Sequence, residues 1–185
     1  MNRGVEVSEG DYLAFVDNDI IFGHWWDRNI IKRLDEDLVA ASPNSNTIAN
    51  YDYPYGFFVP QNSWNDNDLK AFEEYSQNLL NIEDSDLGFA GEAIVMRRNI
   101  WEQVKWNEQI SYGGNDWCLC LEIIKNALPA PRILYGSNIY HLGHNVSDKP
   151  HKAITEYKLY QHDEYKYLLP RNYFRDLVKI GVLNE

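Results

Sequence analysis

Cysteine is scarce in this chain, and apolar runs of membrane-spanning length are absent. The 185 residues include two cysteines, Cys118 and Cys120, which stand two positions apart on a predicted helix and therefore point in different directions. No disulfide framework or cysteine-based zinc site follows, and we expect a reducing, cytoplasmic location. No apolar run reaches the roughly 20 residues of a transmembrane helix, and Met1 leads into polar residues rather than a signal peptide.

Basic residues are also few, since 17 Lys and Arg face 28 Asp and Glu and give a net charge of −11. Nucleic acid is therefore not an expected partner, because its phosphate backbone requires a basic surface. A small anionic ligand that binds through a metal ion stays compatible with this charge. Aromatic residues are abundant, with 13 Tyr and 6 Trp, and such side chains suit sugar faces as well as cores.

The most informative stretch is Tyr12–Ile21, an apolar run that ends in Asp17-Asn18-Asp19. The run predicts a short buried strand. Two carboxylates at the end of a buried strand are costly unless positive charge meets them, and a divalent cation with oxygen ligands can supply that charge. The alternative interpretation is a plain strand-to-turn junction, because Asp and Asn are common in turns.

Hydrophobic periodicity predicts that helices and strands alternate along the rest of the chain. Helices are expected over residues 24–36, 68–81, 99–104, 115–126 and 172–180, with Asp66 or Asn67 capping the second. Strands are expected over residues 38–42, 93–96 and 132–140, with Gly136 as a potential break. Residues 44–67 are expected to form a long aromatic-rich loop. This alternation predicts the α/β class, with function at the carboxyl ends of strands.

Two further groups of residues complete a pattern with the aspartates. Gly113-Gly114-Asn115-Asp116 opens a helix, and His141 and His144 follow a late strand. With Gly91 and Arg97-Arg98 between them, the ordered set from about residue 2 to residue 144 resembles the family-2 glycosyltransferases of the GT-A fold. Asn115 stands where that family usually has Glu, which is a departure from its pattern.

The resemblance implies a GT-A-like α/β fold with an open, mostly parallel mixed sheet flanked by helices. Residues 1–148 would form the catalytic portion and residues 149–185 a helical C-terminal extension of the same domain. Members of the family begin with strands and a helix that form much of the nucleotide pocket, and this sequence starts after them. We therefore expect an N-terminally incomplete sheet, which a missing N-terminal segment or a second chain would complete.

The resemblance also implies inverting transfer of a sugar from a nucleoside-diphosphate donor to a carbohydrate or other hydroxyl acceptor. Mn²⁺ or Mg²⁺ would be held by Asp17, Asp19 and His141, with His144 as the alternative histidine. Asp116 would be the catalytic base. The implied substrate-binding residues are Gly91, Glu92, Arg97, Asn115 and Trp117.

Other interpretations of the same residues stay open. Taken alone, Asp116 could serve only the positive end of a helix, and His141 could be a structural histidine. The chain could then be a non-catalytic carbohydrate-binding or assembly module that keeps the fold. A metal-dependent phosphohydrolase built on the two aspartates is a third reading. Sugar binding that is indifferent to chelators would favour the non-catalytic module.

Overall fold

The structure is a computed structural model, and it describes residues 2–45, 65–83, 85–88, 91–106 and 115–142. Helices and one mixed sheet alternate along these residues, which confirms the α/β class. The helices are α1 (Asn2–Glu6), α2 (Trp26–Glu36), α3 (Asp66–Leu79), α4 (Arg98–Val104) and α5 (Asn115–Lys125). The strands are β1 (Tyr12–Val16), β2 (Ile20–Phe22), β3 (Ala40–Ser45), β4 (Ser85–Leu87), β5 (Ala93–Arg97) and β6 (Arg132–His141).

The six strands form one sheet in the order β1-β5-β3-β6-β2, and β4 also pairs with β6. Only β3 and β6 run parallel among the described pairs, and the other pairs are antiparallel. The prediction of a mostly parallel sheet is therefore wrong for these strands. Alternation with helices predicts parallel neighbours only where consecutive strands lie side by side, whereas β5 lies between β1 and β3 and runs against both.

The sheet is strongly curved, because its two end strands are consecutive in the chain. Only Asp17-Asn18-Asp19 joins β1 to β2, and the path from Val16 to Ile20 can span about 14 Å at most. Four gaps between strands of a flat sheet would measure about 19 Å. The sheet must therefore bend towards closure at the connection that carries both aspartates, and the predicted open sheet is not confirmed.

The sheet separates two apolar clusters, and helices flank it as predicted. Alternate residues of β5 face opposite sides: Met96 packs with Trp101 of α4 and Ile123 of α5, whereas Val95 packs with Ile30 of α2. Strand β1 lies at one end of the sheet order, and only Leu13 within it is buried. The expectation of a β1 strand buried on both faces is therefore wrong.

Local structure differs from the predictions at several ends of elements. Asn65, rather than Asp66 or Asn67, caps α3, and a reciprocal pair of hydrogen bonds with Asp68 completes the cap. Helix α1 occupies part of the expected polar lead, and β2 and β4 were not predicted as separate strands. Strand β3 continues through Pro43 to Ser45, beyond its expected end.

Strand β6 is continuous, but its pairing with β3 shifts at the predicted break. Pro43 pairs with Leu134, whereas the next residue, Asn44, pairs with Asn138. A Cβ atom at Gly136 would lie 2.3 Å from the carbonyl oxygen of Ile82, which is far too close for non-bonded atoms. The shift therefore needs glycine here, because the neighbouring backbone approaches so closely.

Some predictions fall outside the described residues. They concern residues 46–64 of the expected loop, His144, and the helical extension at 149–185. The predicted domain bounds stay predictions for the same reason. Among the helices that the structure describes, none is both long and apolar enough to cross a membrane.

Candidate metal centre

The candidate centre lies where the curved sheet comes nearest to closing. Asp17 directly follows β1, Asp19 directly precedes β2, and His141 ends β6. Because β2 pairs with β6, Ile20 lies opposite His141, and the Leu142 N–H donates to the Asp19 carbonyl at 3.0 Å. The sheet pairing therefore brings residues more than a hundred positions apart into one place.

Asp17, Asp19 and His141 each offer one ligand atom, and these atoms lie within 4.8 Å of one another. Nε2 of His141 lies 3.1 Å from Oδ2 of Asp19. The Asp19 side chain is 9% exposed and that of His141 is 21% exposed, whereas Asp17 is exposed. The cluster is thus embedded in the sheet on one side and reaches solvent on the Asp17 side.

The charges around Asp17 are mostly negative. Burial raises its pKa, and the carboxylates of Glu92 and Asp19 raise it further, while His141 lowers it. Carboxylates held this close together disfavour one another's ionised forms. A bound divalent cation would remove this repulsion, which is the usual reason for grouping carboxylates in a partly buried site.

The observed geometry fits a hard divalent cation. Two ligand atoms at about 2.1 Å from an octahedral cation, in neighbouring positions, lie about 3 Å apart. The 3.1 Å between His141 Nε2 and Asp19 Oδ2 matches this spacing. Imidazole beside two carboxylates is a donor set that suits Mn²⁺ better than Mg²⁺, because Mg²⁺ prefers oxygen ligands only.

Asp116 lies in the first turn of α5 and approaches the same part of the chain through Gly91. A Cβ atom added to Gly91 would lie 2.8 Å from Oδ2 and 3.2 Å from Cγ of Asp116. Glu92, the next residue, accepts a hydrogen bond from the Asp17 N–H at 2.9 Å through its carbonyl. The Gly91-Glu92 segment therefore contacts the predicted base on one side and a predicted metal ligand on the other.

Arg97 is not brought to this cluster. It ends β5, whereas Glu92 precedes the strand, and five residues at about 3.3 Å each put about 16 Å between the two ends. Its guanidinium donates to the Leu34 carbonyl at 2.7 and 2.9 Å and pairs with Asp35 at 2.8 Å. These contacts tie β5 to the end of α2, away from the candidate centre.

The remaining predicted residues are placed only in part. Asn115 opens α5 and Trp117 lies in its first turn, but their side chains fall outside what the structure describes. His144 lies beyond the described residues, so its role as an alternative ligand stays a prediction.

Sequence reasoning missed two features that build the centre. The first is β2, which places His141 beside Asp19; the only signal is the apolar triplet Ile20-Ile21-Phe22. The second is the position of Glu92, whose Oε1 lies 4.0 Å from Nδ1 of His141. The sequence gives Glu92 as a substrate contact, because nothing local shows that β1 and β5 pair.

No protein-family model matches this chain, and no curated protein matches it. The functional argument therefore depends on the geometry of the centre and on the motif resemblance.

Proposed function

We propose that this chain is a metal-dependent, inverting glycosyltransferase that moves a sugar, hexosyl or related, from a nucleoside-diphosphate donor to an acceptor hydroxyl. One observation carries the proposal. Asp17, Asp19 and His141 present ligand atoms within 4.8 Å of one another, at the end of the strand where the GT-A resemblance expects a metal. This meeting depends on tertiary pairing, so it supports the resemblance independently of sequence spacing.

Asp17, Asp19 and His141 are the residues that would hold Mn²⁺ or Mg²⁺. When bound, the cation supplies positive charge that stabilises a departing diphosphate. The exposed side of the cluster, at Asp17, leaves room for that ligand to approach from solvent. The buried side, at Asp19, fixes the carboxylate through the adjoining strand.

Asp116 is the proposed base. Its carboxylate takes the proton of the acceptor hydroxyl while the hydroxyl oxygen attacks the anomeric carbon and the bond to the diphosphate breaks. Its place in the first turn of α5 favours the ionised form, because the N-terminal end of a helix carries partial positive charge. Asn115, where the resemblance expects Glu, cannot ionise, so Asp116 is the acidic residue of that first turn.

The test measures release of nucleoside diphosphate from a panel of sugar nucleotides by the full chain, with Mn²⁺ or with EDTA. We expect release with Mn²⁺ only, and a loss of about 100-fold or more in turnover for Asp116→Asn, which removes the base. Glu122→Gln is the matched control on the same helix, because Glu122 pairs with Lys125 on the surface. Sugar binding without turnover, unaffected by EDTA, would instead support a carbohydrate-binding module.

A further inference from the structure

The imidazole of His141 lies between two carboxylates. Nε2 faces Oδ2 of Asp19 at 3.1 Å, and Nδ1 faces Oε1 of Glu92 at 4.0 Å. The side chains of His141 and Glu92 are only 21% and 15% exposed. Each ring nitrogen is therefore matched with one acidic group inside a largely buried cluster.

Glu92 is held rigidly by the opposite part of the curved sheet. Its carbonyl accepts the Asp17 N–H at 2.9 Å, and the next residue, Ala93, pairs with Val16. His141 is held separately by its pairing with Ile20 across β2 and β6. The Glu92 carboxylate thus spans the line along which the two parts of the sheet approach each other.

We propose that Glu92 is a positioning residue for His141, and this inference rests on the proposed metal-dependent function. Histidines that ligate metals commonly direct their second ring nitrogen to a carboxylate, which fixes the orientation of the ring and raises its basicity. At 4.0 Å the Glu92 carboxylate is beyond hydrogen-bonding distance, but a small side-chain rotation brings Oε1 to Nδ1–H. The Nε2 lone pair then points towards Asp19 and the cation.

Two rival roles for Glu92 make different predictions. A direct ligand would lose metal affinity on Glu92→Ala whether or not His141 is present. A substrate contact, which the sequence alone implies, would alter the apparent affinity for the sugar nucleotide and leave metal affinity unchanged. A positioning residue acts through His141, so its effect must vanish when His141 is removed.

The experiment is a double-mutant cycle on the full chain, with Mn²⁺ affinity read by electron paramagnetic resonance. We expect Glu92→Ala to weaken Mn²⁺ binding by about 10- to 100-fold, as for other partners of metal-bound histidine. Glu92→Gln should recover most of this loss, because an amide oxygen still accepts from Nδ1–H. In a His141→Ala background, Glu92→Ala should add less than about twofold. Glu102→Ala, an exposed acidic residue on α4, is the control and should change nothing.

A spectroscopic signature separates positioning from a general loss of fold. The spin-echo modulation from a nitrogen ligand of Mn²⁺ should be strong in the wild type and in Glu92→Gln, and weak in Glu92→Ala at saturating Mn²⁺. Full modulation in Glu92→Ala, or a Glu92→Ala penalty that persists without His141, would overturn the positioning role. Unchanged Mn²⁺ affinity in Glu92→Ala, alongside a large loss in Asp19→Ala, would overturn it and leave the proposed function standing. Equal Mn²⁺ affinity in wild type and Asp19→Ala would overturn both.

Discussion

Gly91→Ala tests whether Asp116 works from its observed place. The added Cβ atom would lie 2.8 Å from Oδ2 and 3.2 Å from Cγ of Asp116, whereas non-bonded carbon atoms prefer about 3.5–4.0 Å. Either the carboxylate or the segment around it must therefore move by several tenths of an ångström. Rotating Asp116 off its favoured side-chain conformation would cost about 0.5–1.5 kcal/mol.

The cost to catalysis should exceed the cost to folding. A misplacement of about 1 Å in a reacting group can reduce turnover by about 100-fold, and we expect a loss approaching that size in kcat for Gly91→Ala. Mn²⁺ affinity should stay within about twofold of the wild type, because the change faces Asp116 rather than the ligand atoms. Turnover of a sugar nucleotide and Mn²⁺ titration of the same preparation provide the two measurements.

Gly4→Ala is the matched control, because a Cβ atom there meets nothing within 4 Å. It lies in α1, where alanine favours the helix by about 0.5–1 kcal/mol over glycine. Wild-type turnover in Gly91→Ala would refute the reasoning, and so would an equal loss in Gly4→Ala.

Three further predictions concern binding and stability. Asp19→Ala should abolish the Mn²⁺-dependent rise in unfolding free energy, which is about 2.7 kcal/mol at 100 times Kd; a thermal melt in which Mn²⁺ stabilises the variant equally would contradict it. Lys105→Gly should raise the unfolding free energy by about 1 kcal/mol in denaturant titration, because φ 46° and ψ 160° suit glycine and only a cation–π contact with Trp101 is lost; a decrease would count against it. Asn29→Ala should lower that free energy by about 2 kcal/mol, since it removes hydrogen bonds to the carbonyls of Leu80 and Gly136 at 2.6 and 2.9 Å; an unchanged midpoint and slope would contradict it.

Helix α2 and strand β5 could be predicted because their patterns are local. Ile30 and Leu34 repeat at helical spacing and are both buried, and the run at 93–96 is apolar throughout and buried throughout. Strands β2 and β4 have three residues each, which is too short for a period to show. They exist because β6 offers them an edge, and no local pattern specifies that edge.

The directions and neighbours of the strands were the least predictable part. Alternation along the sequence suggests parallel pairs, but β5 inserts between β1 and β3 and runs against both. The same placement explains the outcome for Arg97, since it puts this residue at the far end of β5 from Glu92. A basic residue near a motif in sequence is therefore not near it in space.

The candidate site follows the same division. Asp17 and Asp19 stand out in sequence because carboxylates end an apolar run, and His141 stands out only through the resemblance. Their meeting within 4.8 Å depends on the register of β2 against β6. The place of Glu92 beside His141 depends on the register of β1 against β5, which one sequence does not encode in any readable pattern.

Anomalous diffraction from crystals of the full chain grown with Mn²⁺ measures the centre most directly. The account predicts a single strong manganese peak bonded to an Asp19 carboxylate oxygen and to Nε2 of His141, with Asp17 in contact directly or through water. A map with no peak between these side chains, while His141 and Asp19 stay in direct contact at saturating Mn²⁺, would contradict it.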